Sequence, residues 1–261
     1  MKVRDITNII EEFAPLRLQQ SYDNAGLTVG SYESEVTGVL LAVDVTQEVI
    51  DEALRLGVNL IITHHPIIFS PLKRLTSSNY VECCVQRAIQ HSINLYASHT
   101  NLDGVRGGMS WFLGEKLQLR DMQPLEGFVG CDVGFGVVGE LETPMPTLEY
   151  IRWVGRELGC SVVRTSDIVS QTCARVAICT GSGGSLMEYA SRANVDLYIT
   201  ADLKYNDFMT PSTRFTVVDV GHYESEYCVI DLIFDILSKK MINFAIHKSE
   251  STRNPIHYLS L

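Results

Sequence analysis

None of the seven cysteines in this sequence pairs with another in a CxxC spacing. That excludes a thiolate zinc knot and a dithiol redox motif as readings. The cysteine count is odd, and Cys179 in RVAICTG and Cys228 in YCVIDLIF lie inside apolar runs. They read as buried, reduced thiols rather than as a disulfide framework. No apolar run approaches the roughly 18–20 residues that a membrane span needs. The opening MKVRDITNIIEEF carries charges where a signal peptide has its apolar core. The expectation is a soluble, cytoplasmic protein with no membrane partner. Basic residues are also scarce: 21 Lys and Arg stand against 31 Asp and Glu, a formal charge of −10. Such a surface repels phosphate backbones at long range, which argues against nucleic acid as a partner. A pocket that holds cations can still accept a phosphate, because bound ions dominate their surroundings.

The chain does have material for a core. Its 261 residues are 46% apolar and 20% charged, enough for one large domain or two small lobes. Short apolar runs alternate with amphipathic stretches: VLLAVDV, then TQEVIDEALRLG, then VNLIIT, then SNYVECCVQRAIQHS, then INLYAS. Alternation of this kind predicts an α/β fold with mostly parallel sheets flanked by helices. Thr46 suits the N-cap of the first of these helices and Gly57 its C-terminal stop. A looser stretch from about 121 to 145 suggests a second lobe. The expected division is 1–122 plus 215–261 for one lobe and 123–214 for the other. VNLIITHH and VDLYITAD echo each other, as two similar lobes would.

Three segments carry chemistry. THHPIIF, residues 63–69, follows a buried strand directly, at the end where ligands gather in open α/β sheets. In extended backbone, His64 and His65 would point to opposite faces, which suits one imidazole for each of two ions. ASHTNLDG, residues 97–104, brings His99 and Asp103 to the end of another strand. GHYESE, residues 221–226, places His222 and Glu226 four apart on an incipient helix, where they can share a face. Taken singly, each segment also reads as a polar strand end, an Asp-Gly turn or an acidic helix start. Together they put four of the seven histidines at the ends of three strand-like runs, and that favours a metal centre. GSGGSL, residues 181–186, lacks the lysine of a P-loop and reads as a tight strand-to-helix turn or a backbone anion site.

In their order along the chain, SYDNAGLTVG, LLAVDVTQEVIDEAL, NLIITHHPIIF, NLYASHTNLDG, GSGGSL and VVDVGHYESE resemble the GTP cyclohydrolase 1 type 2 homologues, also called NIF-three-like proteins. The resemblance runs from about residue 20 to 250, so that 1–261 reads as one family unit of the short form. It implies a NIF-three-like fold and two divalent metal ions per subunit. The ligands it implies are His64, His65, Asp103, His222 and Glu226, with Glu226 bridging both ions. His99 would bind or orient the reacting water, so that Glu226 and His99 are the catalytic candidates. It also implies a toroidal homohexamer with its metal sites facing an inner cavity. One departure stands out. Where the family often has ITGE or ITGD, this chain reads ITADLKYND, leaving Asp202 as an acid placed to support a ligand.

Imidazole and carboxylate donors without thiolate suit Fe, Zn, Mn, Co or Ni. Two such ions can share a water and make hydroxide available near neutral pH. The expected activity is hydrolysis of a small molecule, with ring opening of a nucleotide as the form that the family name suggests. The alternatives are a metal-binding regulatory or delivery protein without turnover, and a metal-dependent phosphoesterase.

Overall fold

The structure, a computed structural model, describes residues 1–127, 133–209 and 214–259. Helix α1 (Val3–Phe13) buries Val3, Ile6 and Ile10 along one face, the spacing of an amphipathic helix. It stops at Ala14, before Pro15, as the residue ahead of a proline is driven out of helical backbone. Strands β1 (Gly26–Val29) and β2 (Val39–Ala42) follow, then α2 (Gln47–Leu56), β3 (Leu60–Thr63), α3 (Tyr80–Gln90), β4 (Asn94–Ala97), the single turn α4 (Thr100–Asp103) and α5 (Met109–Lys116). Next come β5 (Leu119–Gly127), β6 (Gly134–Pro146), α6 (Thr147–Glu157), β7 (Arg164–Thr165), β8 (Thr172–Ser182), α7 (Met187–Arg192) and β9 (Leu197–Ala201). The chain ends with β10 (Thr216–Asp219), α8 (His222–Glu226), α9 (Val229–Ser238) and β11 (Ile246–Lys248). Helix α2 has both expected caps. The Thr46 hydroxyl accepts from the Val49 amide at 3.3 Å, and Gly57 ends the helix at φ +70°.

The chain divides into two compact units. The first is Met1–Leu102 with Val229–Arg253. Its sheet has the order β1-β4-β3-β2-β11, with β1 antiparallel at one edge and the other four parallel. Strands β2, β3 and β4 are buried at every position, which is why they read as unbroken apolar runs. On one face Leu40, Ala42, Ile61 and Leu95 pack with Val49 and Ala53 of α2 and with Cys84 and Ala88 of α3. Helix α9 packs on β2 and against α1. The register sets Ala42, Thr63 and Ala97 side by side at the carboxyl ends of β2, β3 and β4. Whatever follows those residues therefore leaves the sheet along one edge.

The second unit is Asp103–Cys228 with Asn254–Leu261. Its sheet runs β5-β6-β8-β9-β10-β7, with β8, β9 and β10 parallel and the outer pairings antiparallel. Helix α5 packs on β5, β6 and β8 and so belongs with this sheet, which places the division ahead of it at Leu102. The stretch 119–127 is strand in spite of Pro124, because β5 is an edge strand where a missing amide costs no ladder bond. The six cysteines among the described residues are free thiols; Cys131 lies outside those residues. No helix among the described residues is long and apolar enough to cross a membrane. The two echoing runs are β3 and β9, each an interior parallel strand of its own sheet.

Candidate metal centre

In the first unit, the aligned strand ends set the chemistry. Asp44 follows β2, His64 and His65 follow β3, and Ser98 and His99 follow β4. The three imidazoles cluster, with ring centroids 5.0 Å apart for His64 and His65, 5.2 Å for His64 and His99, and 5.4 Å for His65 and His99. Each offers a nitrogen, and the three nitrogens lie within 4.8 Å of one another. This group could hold a metal ion. Strand alternation does not send His64 and His65 to opposite faces, because β3 ends at Thr63 and the chain bends. The Thr63 hydroxyl donates across that bend to the His65 carbonyl at 2.8 Å.

Each ring is held from behind. Nδ1 of His64 donates to the Ser98 carbonyl at 2.9 Å, Nδ1 of His65 to Asp44 Oδ1 at 2.8 Å, and Nδ1 of His99 to Asp23 Oδ1 at 2.7 Å. A carbonyl or ionised carboxylate oxygen can only accept, so each Nδ1 carries its hydrogen. In the neutral ring the lone pair then sits on Nε2, the state that a metal requires. Asp23 does more than orient His99. Its buried side chain also accepts from the Thr100 amide at 3.1 Å and from the Thr100 hydroxyl. Burial pushes the Asp23 carboxyl up, but the His99 and Thr100 donors outweigh it and hold the group at about 2.

In the second unit, Asp103 closes α4 while His222 and Glu226 bracket α8. The four-residue spacing works as expected: His222 Nε2 lies 2.9 Å from Glu226 Oε2. On the other side of the ring, Nδ1 donates to Asp202 Oδ2 at 2.7 Å. Burial disfavours charge on this imidazole, but Glu226 and then Asp202 prevail and raise it to about 9. The acid left in ITADLKYND therefore supports His222. Burial also pushes the Cys179 thiol up to about 12, and the Asp103 and Glu226 carboxylates add to that rise.

The GSGGSL turn has a role that its composition does not reveal. It opens on Gly181 at φ +62°, and a Cβ there would come within 2.2 Å of Glu226 Oε1 and 3.4 Å of His222 Cε1. The Gly181 amide donates to Ser225 Oγ at 2.9 Å. Only glycine lets β8 pass this close beneath α8. Residues Gly184–Leu186 make a single 3-10 turn ahead of α7, so the segment is a strand-to-helix turn. Asp44 also escaped the sequence reading, although AVDVT follows β2 as THHP follows β3 and could have pointed to it.

The segments THHPIIF, ASHTNLDG and GHYESE thus lie at the carboxyl ends of parallel strands. The family described as Duf34/NIF3 (NGG1p interacting factor 3) matches residues 1–255. A GTP cyclohydrolase 1 type 2 homolog from Clostridium perfringens is 33% identical, with 99% of this chain and 100% of the relative covered. One from Lactococcus lactis is 36% identical, with 98% and 99% covered. The crystal structure of a hypothetical protein from Staphylococcus aureus superposes with a TM-score of 0.92 at 27% identity, covering 99% of each chain. With the match spanning its paired histidines, its HTNLD turn and its GHYESE helix start, this chain belongs to the Duf34/NIF3 family.

Proposed function

We propose that this chain is a metal-dependent hydrolase acting on a small, nucleotide-like molecule. In this reading His64, His65, Asp103, His222 and Glu226 would hold two divalent ions. The observation that carries it is the backing of four imidazoles. His64, His65, His99 and His222 each turn Nδ1 onto an oxygen acceptor, so that Nε2 is the nitrogen that would face an ion, and that of His222 lies 2.9 Å from Glu226 Oε2. Three of those acceptors are carboxylates, the usual outer partner of a metal-bound histidine. Fe, Zn, Mn, Co or Ni suits such donors, and a pair of these ions would supply hydroxide near neutral pH.

The chain's own residues do the rest. Asp44 and Asp23 hold the rings of His65 and His99 in one orientation and one tautomer, and Asp202 orients His222. Asp23 keeps the Nε2 of His99 open, so that His99 can take a proton from a reacting group and return it. Gly181 leaves the Glu226 carboxylate room to face a cation. Hydrolytic opening of a guanine nucleotide ring is the reaction that fits the relatives' name, GTP cyclohydrolase 1 type 2 homolog. A cytoplasmic homohexamer belongs to the same reading.

Metal analysis of the purified chain, with GTP and a nucleotide panel as substrates, tests this. Two ions per chain and turnover are expected, both lost in His65→Ala and Glu226→Ala with the fold intact. Metal content unchanged in both variants would overturn it. Two bound ions without turnover of any nucleotide would favour a metal-holding protein, a reading to which the family description, naming an interaction, lends weight.

A further inference from the structure

The imidazole cluster of the first unit continues outward as a row of rings. Phe69 lies edge-on to His99, with centroids 6.2 Å apart at 78°, and Tyr22 lies beside Phe69, with centroids 6.3 Å apart. Both aromatics are well exposed, Tyr22 at 64% and Phe69 at 49%. Their loops are fixed in place. Asn24 donates from Nδ2 to the Ile68 carbonyl at 2.6 Å, and Asp23 anchors the same loop to His99 and Thr100. The shelf is therefore tied at both its loops to the frame that orients His99.

We propose that Tyr22 and Phe69 form a stacking shelf that selects planar nitrogen heteroaromatic ligands at the imidazole cluster. A ligand that offers a ring nitrogen or an exocyclic oxygen at that cluster lays its plane on Phe69, and Tyr22, whose ring is tilted 52° from that of Phe69, bounds its outer edge. Every heteroaromatic ring presents a π-face, so the shelf sets the substrate class and leaves the identity of the ring to other contacts. The proposal rests on the metal reading above, since the metal brings the ligand's donor atom to the rings. It goes beyond that reading by assigning specificity to two residues that hold no ion.

The test uses the full chain loaded with Co(II), whose visible spectrum reports ligation directly. Imidazole and benzimidazole are titrated as probes; they share a donor nitrogen and differ by one fused ring. Wild type is expected to prefer benzimidazole, as a stacked ring is worth about five-fold or more in affinity. Phe69→Ala should abolish that preference and Tyr22→Ala should reduce it by a smaller factor, leaving Co(II) content and imidazole binding unchanged. Phe69→Trp should keep it. An unchanged preference in both alanine variants overturns the shelf while leaving the metal reading intact. No Co(II) uptake by wild type overturns both. A change of oligomeric state on sedimentation in Phe69→Ala, with probe binding unaltered, identifies the pair as packing between copies and overturns the shelf.

Discussion

Gly181 and Glu226 are fitted to each other: a Cβ on the glycine would lie 2.2 Å from the carboxylate Oε1, and the glycine holds φ +62°. Gly181→Ala therefore carries two penalties. Left-handed backbone costs a non-glycine residue about 1–2 kcal/mol, and the new methyl group must push Glu226 aside. The expected outcome is a lower thermal midpoint, an unchanged far-ultraviolet spectrum and a reduced metal content. A variant with wild-type metal content would show that the Glu226 carboxylate is not needed where it stands.

Asp202 supports His222 from the far side of the ring, and the substitution that isolates this effect is Asp202→Asn. The residue stands at φ +56°, which asparagine tolerates almost as well as aspartate, so the backbone is spared. The amide can present either its oxygen or its NH2 to Nδ1, and the tautomer is no longer fixed. Loss of such an outer partner typically lowers metal affinity about 10–100-fold. Competition with a chromophoric chelator measures this, and affinity within two-fold of wild type would remove Asp202 from the support of the site.

These supports mark the limit of what the sequence discloses. The ligand candidates were legible because each sits just after an apolar run of strand length, and parallel strands deliver their carboxyl ends to one edge. The sheet of the first unit was legible for the same reason: VLLA, LIIT and NLYA are buried on both faces and read as unbroken apolar runs. Strand β5 was not, since LRDMQPLEG carries Pro124 and three charges on an edge where burial enforces no pattern. Asp44 was harder still. It pairs with His65, 21 residues further along the chain, and such pairing is set by register and loop path, to which no local pattern answers. The bend after Thr63 likewise cancelled the strand alternation expected of His64 and His65.

Acid should weaken the fold in part through Glu82 on α3. Its carboxylate accepts from the Thr76 amide at 2.8 Å, from the Ser78 amide at 3.1 Å and from both hydroxyls at 3.0 Å. The Thr76 and Ser78 amides lead in holding it down at about 2, against an ordinary 4.5. A depressed folded value means that the contribution is whole above 4.5 and is lost as pH falls from there toward about 2. Thermal midpoints of wild type and Glu82→Gln should therefore converge across that window and differ most at neutral pH. Parallel curves would show that the carboxylate's charge is not what these donors stabilise.

Asp23 tests orientation and stability at once. Its buried carboxylate takes Nδ1 of His99 at 2.7 Å, the Thr100 amide at 3.1 Å and the Thr100 hydroxyl. Asp23→Ala strips these three donors, and the Asn24 amide at 2.7 Å, of their acceptor. Stranding a buried donor costs about 1–3 kcal/mol, so denaturant unfolding should register a loss of that order or more. Asp23→Asn keeps the volume and one acceptor oxygen, and should recover most of the stability. It should not recover the tautomer, because an amide can also donate to Nδ1 and drive the ring hydrogen to Nε2. Nitrogen-15 shifts of the His99 ring, read at a pH where the imidazole is neutral, separate the two roles. Wild type should show the hydrogen on Nδ1 and Asp23→Asn a mixture. If both proteins hold the hydrogen on Nδ1, the orienting force on His99 comes from somewhere other than this carboxylate.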